Sequence, residues 1–315
     1  MCFSLSGCVG DGMKPDFWDT VRILIANGEP DEALARIAAN WDASVTPNPE
    51  SADATAAAIA GTGDLVGALA PLNAAIESGT ANFHTYFRLA EYHRRLGQIK
   101  NTLINHRLAH AQFGWPESLA HGYSFTHDYF SPNILIWENW FRVRITAKPI
   151  EALEIGSWQG GSATWLLDKV ISPRGGRLTC IDGFEGSSEH VGLMETLGTR
   201  LEDIFDDNIE RTGHGDKLRK LVGRSQVILP TLWGEKFDFI YIDGAHEAKF
   251  VIQDAVFSWG LLKPGGFMLF DDVGFKFADH PEQNTGRAID FFVSVFGDEI
   301  QQIDRRGQLL LQRSK

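Results

Sequence analysis

The chain has 315 residues, 43% of them hydrophobic and 22% charged, with 41 acidic against 29 basic side chains. This composition is typical of a folded globular protein and allows two domains, so a disordered chain is excluded. The formal charge of −12, without a basic stripe, argues against a nucleic-acid partner.

The first residues lack the charged start and the long apolar run of a signal peptide. No apolar stretch approaches the roughly 18 residues that a membrane span needs, so we expect no membrane partner. Cys2, Cys8 and Cys180 are too few for a disulfide scaffold and are expected to be free thiols. We therefore expect a cytoplasmic protein.

Residues 16 to about 115 have helical periodicity and no convincing strand, so we predict a helical domain over residues 1–120. Glycines break three helical hairpins at Gly28, Gly63 and Gly97, with spacings of 35 and 34 residues. The period resembles that of tetratricopeptide repeats, in which stacked helix pairs bury a shared face. The third unit resembles the consensus best, and the first two depart from it. Such a domain would serve as a homodimer interface or bind a partner, and the sequence does not choose.

Residues 121–148 are expected to be a linker and lid, and from residue 149 to 315 apolar runs alternate with helical stretches. We predict five parallel strands, separated by helices and closed by a C-terminal hairpin. The fold class is therefore α/β, a doubly wound seven-stranded Rossmann-like sheet behind an all-helical N-terminal domain. The strands are predicted at 150–155, 177–181, 217–222, 237–242 and 266–270, and the hairpin at 299–304 and 308–312.

The loop after the first strand contains Gly156 and Gly160 but lacks the G-x-G-x-x-G pattern of a dinucleotide site. Glu154, just before the turn, suits a cationic ligand better than a diphosphate. S-adenosylmethionine has a sulfonium, an amino-acid end and no phosphate, so it fits. The glycines would let the backbone approach this ligand, and Ser157 and Ser162 would bind its carboxylate.

The second strand ends at Asp182, followed shortly by Phe184. An acid in this position can accept both hydroxyls of a ribose, and the phenylalanine could cover an adenine. The alternative is an aspartate that caps a helix or stabilises a turn.

These motifs together resemble the class I S-adenosylmethionine-dependent methyltransferases from about residue 125 to the end. Within that class the chain is similar to the macrocin-type sugar O-methyltransferases and, more distantly, to catechol O-methyltransferase. The resemblance implies a reversed seventh strand, and it implies that Ser225 and Gln226 lie beside the adenine. It is carried by the segments 154–162, 180–186, 222–226, 237–246, 262–266 and 270–273.

Asp243 ends the fourth strand, and Asp271 and Asp272 end the fifth. Three neighbouring carboxylates need a cation or a proton to offset their repulsion, and oxygen ligands suit Mg²⁺ or Mn²⁺. The resembling enzymes hold a divalent ion at the matching positions, where it binds the acceptor oxygen. Alternatively, Asp271 and Asp272 cap the strand or bind backbone amides.

His246 follows Asp243 by three residues, and the resemblance implies that it is the catalytic base, acting with Asp243. A packing or helix-capping histidine is the alternative. An acceptor carboxylate would be ionised already at pH 7 and would need neither base nor metal.

Candidates for contact with the acceptor precede the first strand: Tyr123, His127, Tyr129 and Trp137. A second candidate is the loop 274–284, whose phenylalanines could line an apolar acceptor. In both segments the aromatic residues could instead pack the interior.

The sequence thus predicts an O-methyltransferase that uses S-adenosylmethionine, with Mg²⁺ or Mn²⁺ as a further cofactor, on a hydroxyl or carboxylate of a small molecule. Two alternatives stay open: a noncatalytic helical-repeat scaffold with a relict cofactor fold, and a hydroxylase on the same fold. The acceptor itself, whether sugar, phenol or carboxylate, is not specified.

Overall fold

The computed structural model describes residues 17–40, 48–186 and 200–314. The chain divides into two compact units, Met1–Leu119 and Ala120–Lys315. Among the helices of the described residues, none combines the length and the apolar composition that a membrane span requires. Cys2 and Cys8 lie outside the described residues, and Cys180 is a buried free thiol.

The first unit is helical throughout its described residues, which confirms the predicted helical hairpins. Gly28, Gly63 and Gly97 have φ of +79°, +95° and +72°, and each lies in the turn between paired helices. Positive φ explains why glycine occupies these turns. The helices are α1 Phe17–Ala26, α2 Pro30–Asn40, α3 Pro49–Gly61, α4 Leu69–Glu77, α5 Phe83–Arg95 and α6 Ile99–Gln112, followed by the short helix Glu117–His121.

Two of the hairpins begin in the same way. Asn48 caps α3 through a reciprocal pair of hydrogen bonds with Ser51, and Asn82 caps α5 with Thr85. Each box satisfies backbone N–H groups that a helix start leaves unpaired. This shared cap supports repeated hairpins, and the assignment to tetratricopeptide repeats stays a prediction.

The second unit contains a seven-stranded sheet in the order β3-β2-β1-β4-β5-β7-β6. Strands β1 to β5 are parallel to their neighbours, whereas β7 runs antiparallel to β5 and β6. The predicted doubly wound sheet with a reversed seventh strand is confirmed. The strands are β1 Ile150–Ile155, β2 Gly176–Asp182, β3 Leu218–Val222, β4 Phe237–Ile242, β5 Leu262–Phe270, β6 Ile300–Arg305 and β7 Leu309–Arg313.

The described helices of the second unit cover both faces of this sheet. A π-helical turn, Leu167–Ile171, follows Gly161–Leu166. Strand β5 begins four residues earlier than predicted, because Leu262 already pairs with Phe237 across a bulge. The α-helices are Ile134–Val143, Gly161–Leu166, Ser172–Arg174, Arg200–Arg211, Ser225–Ile228, Ala248–Leu261 and Thr285–Phe296.

A large aromatic cluster covers one face of the sheet, and Trp137 lies at its centre. Its indole is fully buried and packs edge-on against Tyr241, with ring centroids 4.8 Å apart, and against Trp165 at 5.7 Å. The indole N–H donates to Oε1 of Gln308 at 2.9 Å. Trp137 is therefore a core residue in this structure, which corrects its expected place among the acceptor contacts.

Backbone strain is concentrated where the strands end. Among the described residues, three that are not glycine have positive φ: Trp158 at +50°, Phe184 at +52° and Asp272 at +50°. They follow β1, β2 and β5, at the carboxyl edge of the sheet. Such conformations cost about 1–3 kcal/mol each and cluster at functional sites. The carboxyl edge of the sheet is therefore the candidate functional site.

Candidate active site

The loop after β1 is held by a buried acid. Glu154 has no exposed surface, and its carboxylate accepts hydrogen bonds from Ser157 Oγ at 2.6 Å, Ser162 Oγ at 2.5 Å and Cys180 Sγ at 3.3 Å. Burial raises the pKa of Glu154, and the bonds from the two serines oppose that shift. The hydroxyl protons that we expected to meet the ligand are thus directed at Glu154. Contact of these serines with a ligand stays a prediction.

Gly156 follows β1 and lies directly against the backbone that follows β4. An added Cβ would stand 2.0 Å from the carbonyl oxygen of Asp243 and 2.7 Å from Cα of Gly244. The neighbouring Asp243 N–H donates to the carbonyl of Ile155 at 2.8 Å. The backbone after β4 therefore requires a glycine at position 156. The sequence had suggested only that a ligand requires it.

Asp182 ties the end of β2 to this same loop. Its Oδ2 accepts from the backbone N–H groups of Ser157 at 2.7 Å and Trp158 at 2.8 Å, and its Oδ1 accepts from Phe184 N–H at 2.7 Å. Burial raises the pKa of Asp182, while these backbone bonds lower it. These backbone donors fit the alternative of an aspartate that stabilises a turn, and contact of Asp182 with a ribose stays a prediction.

Phe184 is buried beside this acid rather than open to a ligand. Its ring packs against Phe205, with centroids 5.2 Å apart, and the Nζ of Lys220 lies 5.6 Å from its centroid. The adenine contact predicted for Phe184 stays a prediction.

At the end of β3, Ser225 and Gln226 contact an acid that sequence reasoning missed. Ser225 Oγ donates to Oδ1 of Asp254 at 2.7 Å, and Gln226 Nε2 donates to the same oxygen at 3.1 Å. Burial raises the pKa of Asp254 to about 6. One signal was present in the sequence: Asp254 shares a helix face with the apolar Val251 and Ala255, where a polar residue is unusual.

A hydrogen-bonded network lies below the ends of β4 and β5. The hydroxyl of Tyr241 lies 2.9 Å from Oδ2 of Asp243 and within hydrogen-bond distance of Oδ2 of Asp271, so the two carboxylates share its single proton. Gln308 Nε2 also donates to Oδ2 of Asp271 at 3.0 Å. Desolvation raises the pKa of Asp243 well above its ordinary value, and the charges of Asp271 and Asp272 raise it further.

The structure selects a different set of possible metal ligands from the predicted one. Asp243, His246 and Asp272 each offer a ligand atom, and these atoms lie within 4.8 Å of one another. Asp271 is instead committed to Tyr241, Gln308 and the N–H of Asp272. Asp271 therefore fits the alternative of a strand-end acid that binds structural donors. The physical reason is that the backbone turns at Asp272, which follows β5 with a φ of +50°, so its side chain does not continue in the direction of Asp271.

His246 is oriented from two directions. Its Nε2 lies 3.0 Å from Oδ2 of Asp272, and the ring of Phe275 packs against the imidazole, with centroids 4.7 Å apart. Thr285 Oγ1 donates to the His246 carbonyl at 2.7 Å. The imidazole ring is thus packed, as the alternative predicted, and it is held beside a carboxylate; the role of His246 as a base stays a prediction. A carboxylate in this place stabilises an imidazolium.

The segment 121–133, called the strap below, is bound to the glycine loop through residues that sequence reasoning missed. Gln159 Oε1 accepts from Thr126 N–H at 2.9 Å, and its Nε2 donates to Thr126 Oγ1 at 2.8 Å. Asn208 Oδ1 accepts from Ser124 N–H at 2.7 Å, and its Nδ2 donates to the Gln159 carbonyl at 2.9 Å. No sequence spacing relates these partners, so only the fold could reveal them.

The strap contains three of the four expected acceptor contacts, and the structure places them differently from one another. Tyr123 is fully buried, and its hydroxyl donates to Asp168 at 2.8 Å, so in this structure it is a core residue. Tyr129 is 50% exposed, with its ring centroid 6.0 Å from that of His127 and 6.4 Å from that of Trp158. His127 and Tyr129 therefore remain candidates, and Tyr123 does not.

Comparison with known proteins agrees with this arrangement. Residues 153–273 match a family model described as a methyltransferase domain. The O-methyltransferase hkm8 of Aspergillus hancockii is 33% identical over 119 residues, which cover 34% of this chain and 47% of that protein. The chain thus spans about half the length of the curated relative it matches.

Solved structures with a similar fold include two O-methyltransferases. The enzyme TomG from Streptomyces achromogenes, in complex with S-adenosylmethionine, is 19% identical with a TM-score of 0.45, covering 65% of this chain and 86% of that one. The enzyme from Bacillus cereus, with S-adenosylhomocysteine, is 19% identical with a TM-score of 0.46, covering 74% and 100%. Over residues 153–273, the chain is therefore similar to the methyltransferase domains that this family model describes.

Proposed function

We propose that this chain is an S-adenosylmethionine-dependent O-methyltransferase that acts on a small molecule. The observation that carries the proposal is the register of the sheet. Parallel pairing of β2, β1, β4 and β5 brings their carboxyl ends together, and each end bears an acid or a glycine turn. Ligands of open α/β sheets bind at this edge. The methyltransferase family match over these strands supports the same conclusion.

The donor site would be formed at the ends of β1, β2 and β3. Asp182 would accept a hydrogen bond from a ribose hydroxyl, and Gln226 would lie beside the adenine. S-adenosylmethionine, when bound, supplies the methyl group for the reaction. The buried Glu154 would hold the glycine loop in shape, since its carboxylate already accepts from three side chains.

A divalent cation such as Mg²⁺ or Mn²⁺ fits the acidic end of β4 and β5. The raised pKa of Asp243, caused by desolvation and by the charges of Asp271 and Asp272, indicates repulsion that a cation would relieve. We propose Asp243 and Asp272 as its carboxylate ligands. The ion would stabilise negative charge on the acceptor oxygen.

His246 would act as the base for a hydroxyl acceptor. The acceptor proton would pass to the imidazole, and Asp272, 3.0 Å from Nε2, would stabilise the resulting positive charge. General-base help of this kind contributes about 10²–10⁴-fold. Because an ionised carboxylate acceptor has no proton to remove, its methylation would not depend on His246. Phe275, which packs on the same ring, would exclude water beside the base.

The first experiment measures binding of the reaction product. S-adenosylhomocysteine should raise the melting temperature of the chain. A ligand that binds only the folded state adds about 2.7 kcal/mol to the free energy of unfolding when its concentration is a hundred times Kd. A flat titration would contradict the cofactor assignment and favour the scaffold alternative.

The second experiment tests the reaction with a panel of sugars, phenols and carboxylic acids, each with Mg²⁺ and with EDTA. Transfer of labelled methyl to one class, with a product mass gain of one methylene, would establish the activity. A gain of one oxygen would instead establish hydroxylation. Loss of transfer in EDTA would support the metal.

We further propose that the helical unit mediates a homodimer and that the protein works in the cytoplasm. Stacked helix pairs often present such surfaces. Light scattering after size exclusion, on the full chain, would measure the oligomeric state. Fractionation of the source cells would test the location.

A further inference from the structure

The buried carboxylate of Asp254 has no role in the chemistry proposed above. It is 1% exposed and lies in the middle of the helix Ala248–Leu261, on the face that contains Val251 and Ala255. A charge in such a position is costly unless hydrogen bonds or an opposite charge compensate it. Its described partners are Ser225 and Gln226, at the start of the helix that follows β3.

These three side chains form a closed triangle of hydrogen bonds. Ser225 Oγ lies 2.7 Å from Oδ1 of Asp254, and Gln226 Nε2 lies 3.1 Å from that oxygen and 2.8 Å from Ser225 Oγ. An ionised carboxylate only accepts hydrogen bonds, so the serine proton must be directed toward it. The serine oxygen is then an acceptor as well.

The triangle decides which way the amide of Gln226 faces. Both atoms it meets, the carboxylate oxygen and the serine oxygen, require a donor, and only the amide nitrogen can provide one. A flipped amide would place its carbonyl oxygen against two other oxygens. The carbonyl oxygen of Gln226 is therefore held on the opposite branch, away from Asp254.

We propose that Asp254 is a positioning residue that fixes the Gln226 amide so that its oxygen is offered to the base of the bound nucleoside. The site would then select a base with an exocyclic amine, as in adenine, over one with a carbonyl in that place, as in hypoxanthine. This inference rests on the proposed function, because it requires that the nucleoside of the methyl donor lies beside Gln226.

The test compares two ligands by calorimetry: S-adenosylhomocysteine and S-inosylhomocysteine, in which the exocyclic amine is replaced by a carbonyl. The unaltered chain should prefer the adenine compound by about tenfold or more, because the inosine compound would set a carbonyl against the Gln226 oxygen. In Asp254→Asn, the new amide can either donate or accept a hydrogen bond, so the amide of Gln226 can take either of its two orientations. The preference should then fall to about twofold.

A matched control is Asp290→Asn, which alters an aspartate whose side chain is 63% exposed and pairs with Arg305. It should leave the preference unchanged. Gln226→Leu should abolish the preference, and adding Asp254→Asn to it should change nothing more. That lack of additivity would show that Asp254 acts through the amide, since a merely structural role would lower both affinities equally in every background.

Ser225→Ala provides a second route should Asp254→Asn fail to fold. It retains the carboxylate but removes one of the two oxygens that face the amide, so a partial loss of preference is expected. An unchanged preference in a folded Asp254→Asn, or in Ser225→Ala if the first variant does not fold, would overturn the inference alone. No preference in the unaltered chain would also overturn it. Failure of that chain to bind S-adenosylhomocysteine at all would overturn the proposed function and this inference with it.

Discussion

Replacing Gly156 with alanine tests whether the ends of β1 and β4 are as closely packed as the structure shows. The added Cβ would meet the carbonyl oxygen of Asp243 at 2.0 Å, a contact with backbone that a side-chain rotation cannot relieve. The residue also has a φ of +85°, which an alanine adopts reluctantly. Two separate penalties are therefore expected at one position.

Gly265→Ala separates the two penalties. Gly265 has a φ of +77°, but no heavy atom lies within 4 Å of a Cβ built there. In this control, the free energy of unfolding should fall only by the cost of the left-handed backbone conformation, about 1–2 kcal/mol. In Gly156→Ala, the free energy of unfolding should fall by that cost and by about 1–3 kcal/mol or more for overpacking, because the backbone at Asp243 must shift.

Thermal unfolding followed by circular dichroism would measure both variants. For a unit of this size, 1 kcal/mol corresponds to about 2–4 °C, so Gly156→Ala should melt well below Gly265→Ala. The displaced strand end should also weaken binding of S-adenosylhomocysteine, which Gly265→Ala should leave intact. Equal losses of stability in the two variants would refute the close approach of Gly156 to Asp243.

Three further predictions concern the acids and the base. His246→Ala should bind S-adenosylhomocysteine and Mg²⁺ in calorimetry with unchanged affinity yet lose about 10²–10⁴-fold in turnover of a hydroxyl acceptor; a lost metal affinity would instead make His246 a ligand. Asp243→Asn should weaken Mg²⁺ binding at least about tenfold, and unchanged binding would remove the metal from this site. Because burial raises the pKa of Asp254 from 3.8 to about 6, its folded form binds the proton more tightly, and stability is lost as the pH rises through this range. Chemical unfolding would measure the free energy of unfolding of Asp254→Asn and of the unaltered chain at pH 4.5 and at pH 7.5. The difference between the two proteins should shift by about 2 kcal/mol in favour of the variant at the higher pH, and a difference that does not change with pH would contradict the raised pKa.

The strands and the order of the elements followed from patterns that are local in the sequence. Continuous apolar runs such as β1 and β4 can be satisfied only inside a sheet covered on both faces. Glycines such as Gly28 and Gly97 stand where a helix must end with positive φ. Each of these depends on a few consecutive residues, which is why the sequence predicted them.

The contents of the site were predictable only as far as the strand ends. Asp182, Asp243 and Asp272 were expected at the carboxyl edge because parallel strands place their ends together. The sequence could not show that Tyr123 and Trp137 turn into the core, since an aromatic residue serves equally well in a pocket or in the interior. Their partners, Asp168 and Gln308, are distant along the chain.

By itself, then, the sequence determined the doubly wound seven-stranded sheet and the edge at which the acids collect. Tertiary structure alone decided which side chains face one another across that edge. In the folded chain, Asp271 accepts hydrogen bonds from Tyr241 and Gln308. Asp272 lies beside His246, and Asp254 accepts a hydrogen bond from Gln226. The physical reason is that the direction of a side chain depends on local backbone angles and on which distant donors lie within reach, and neither is encoded in residue spacing.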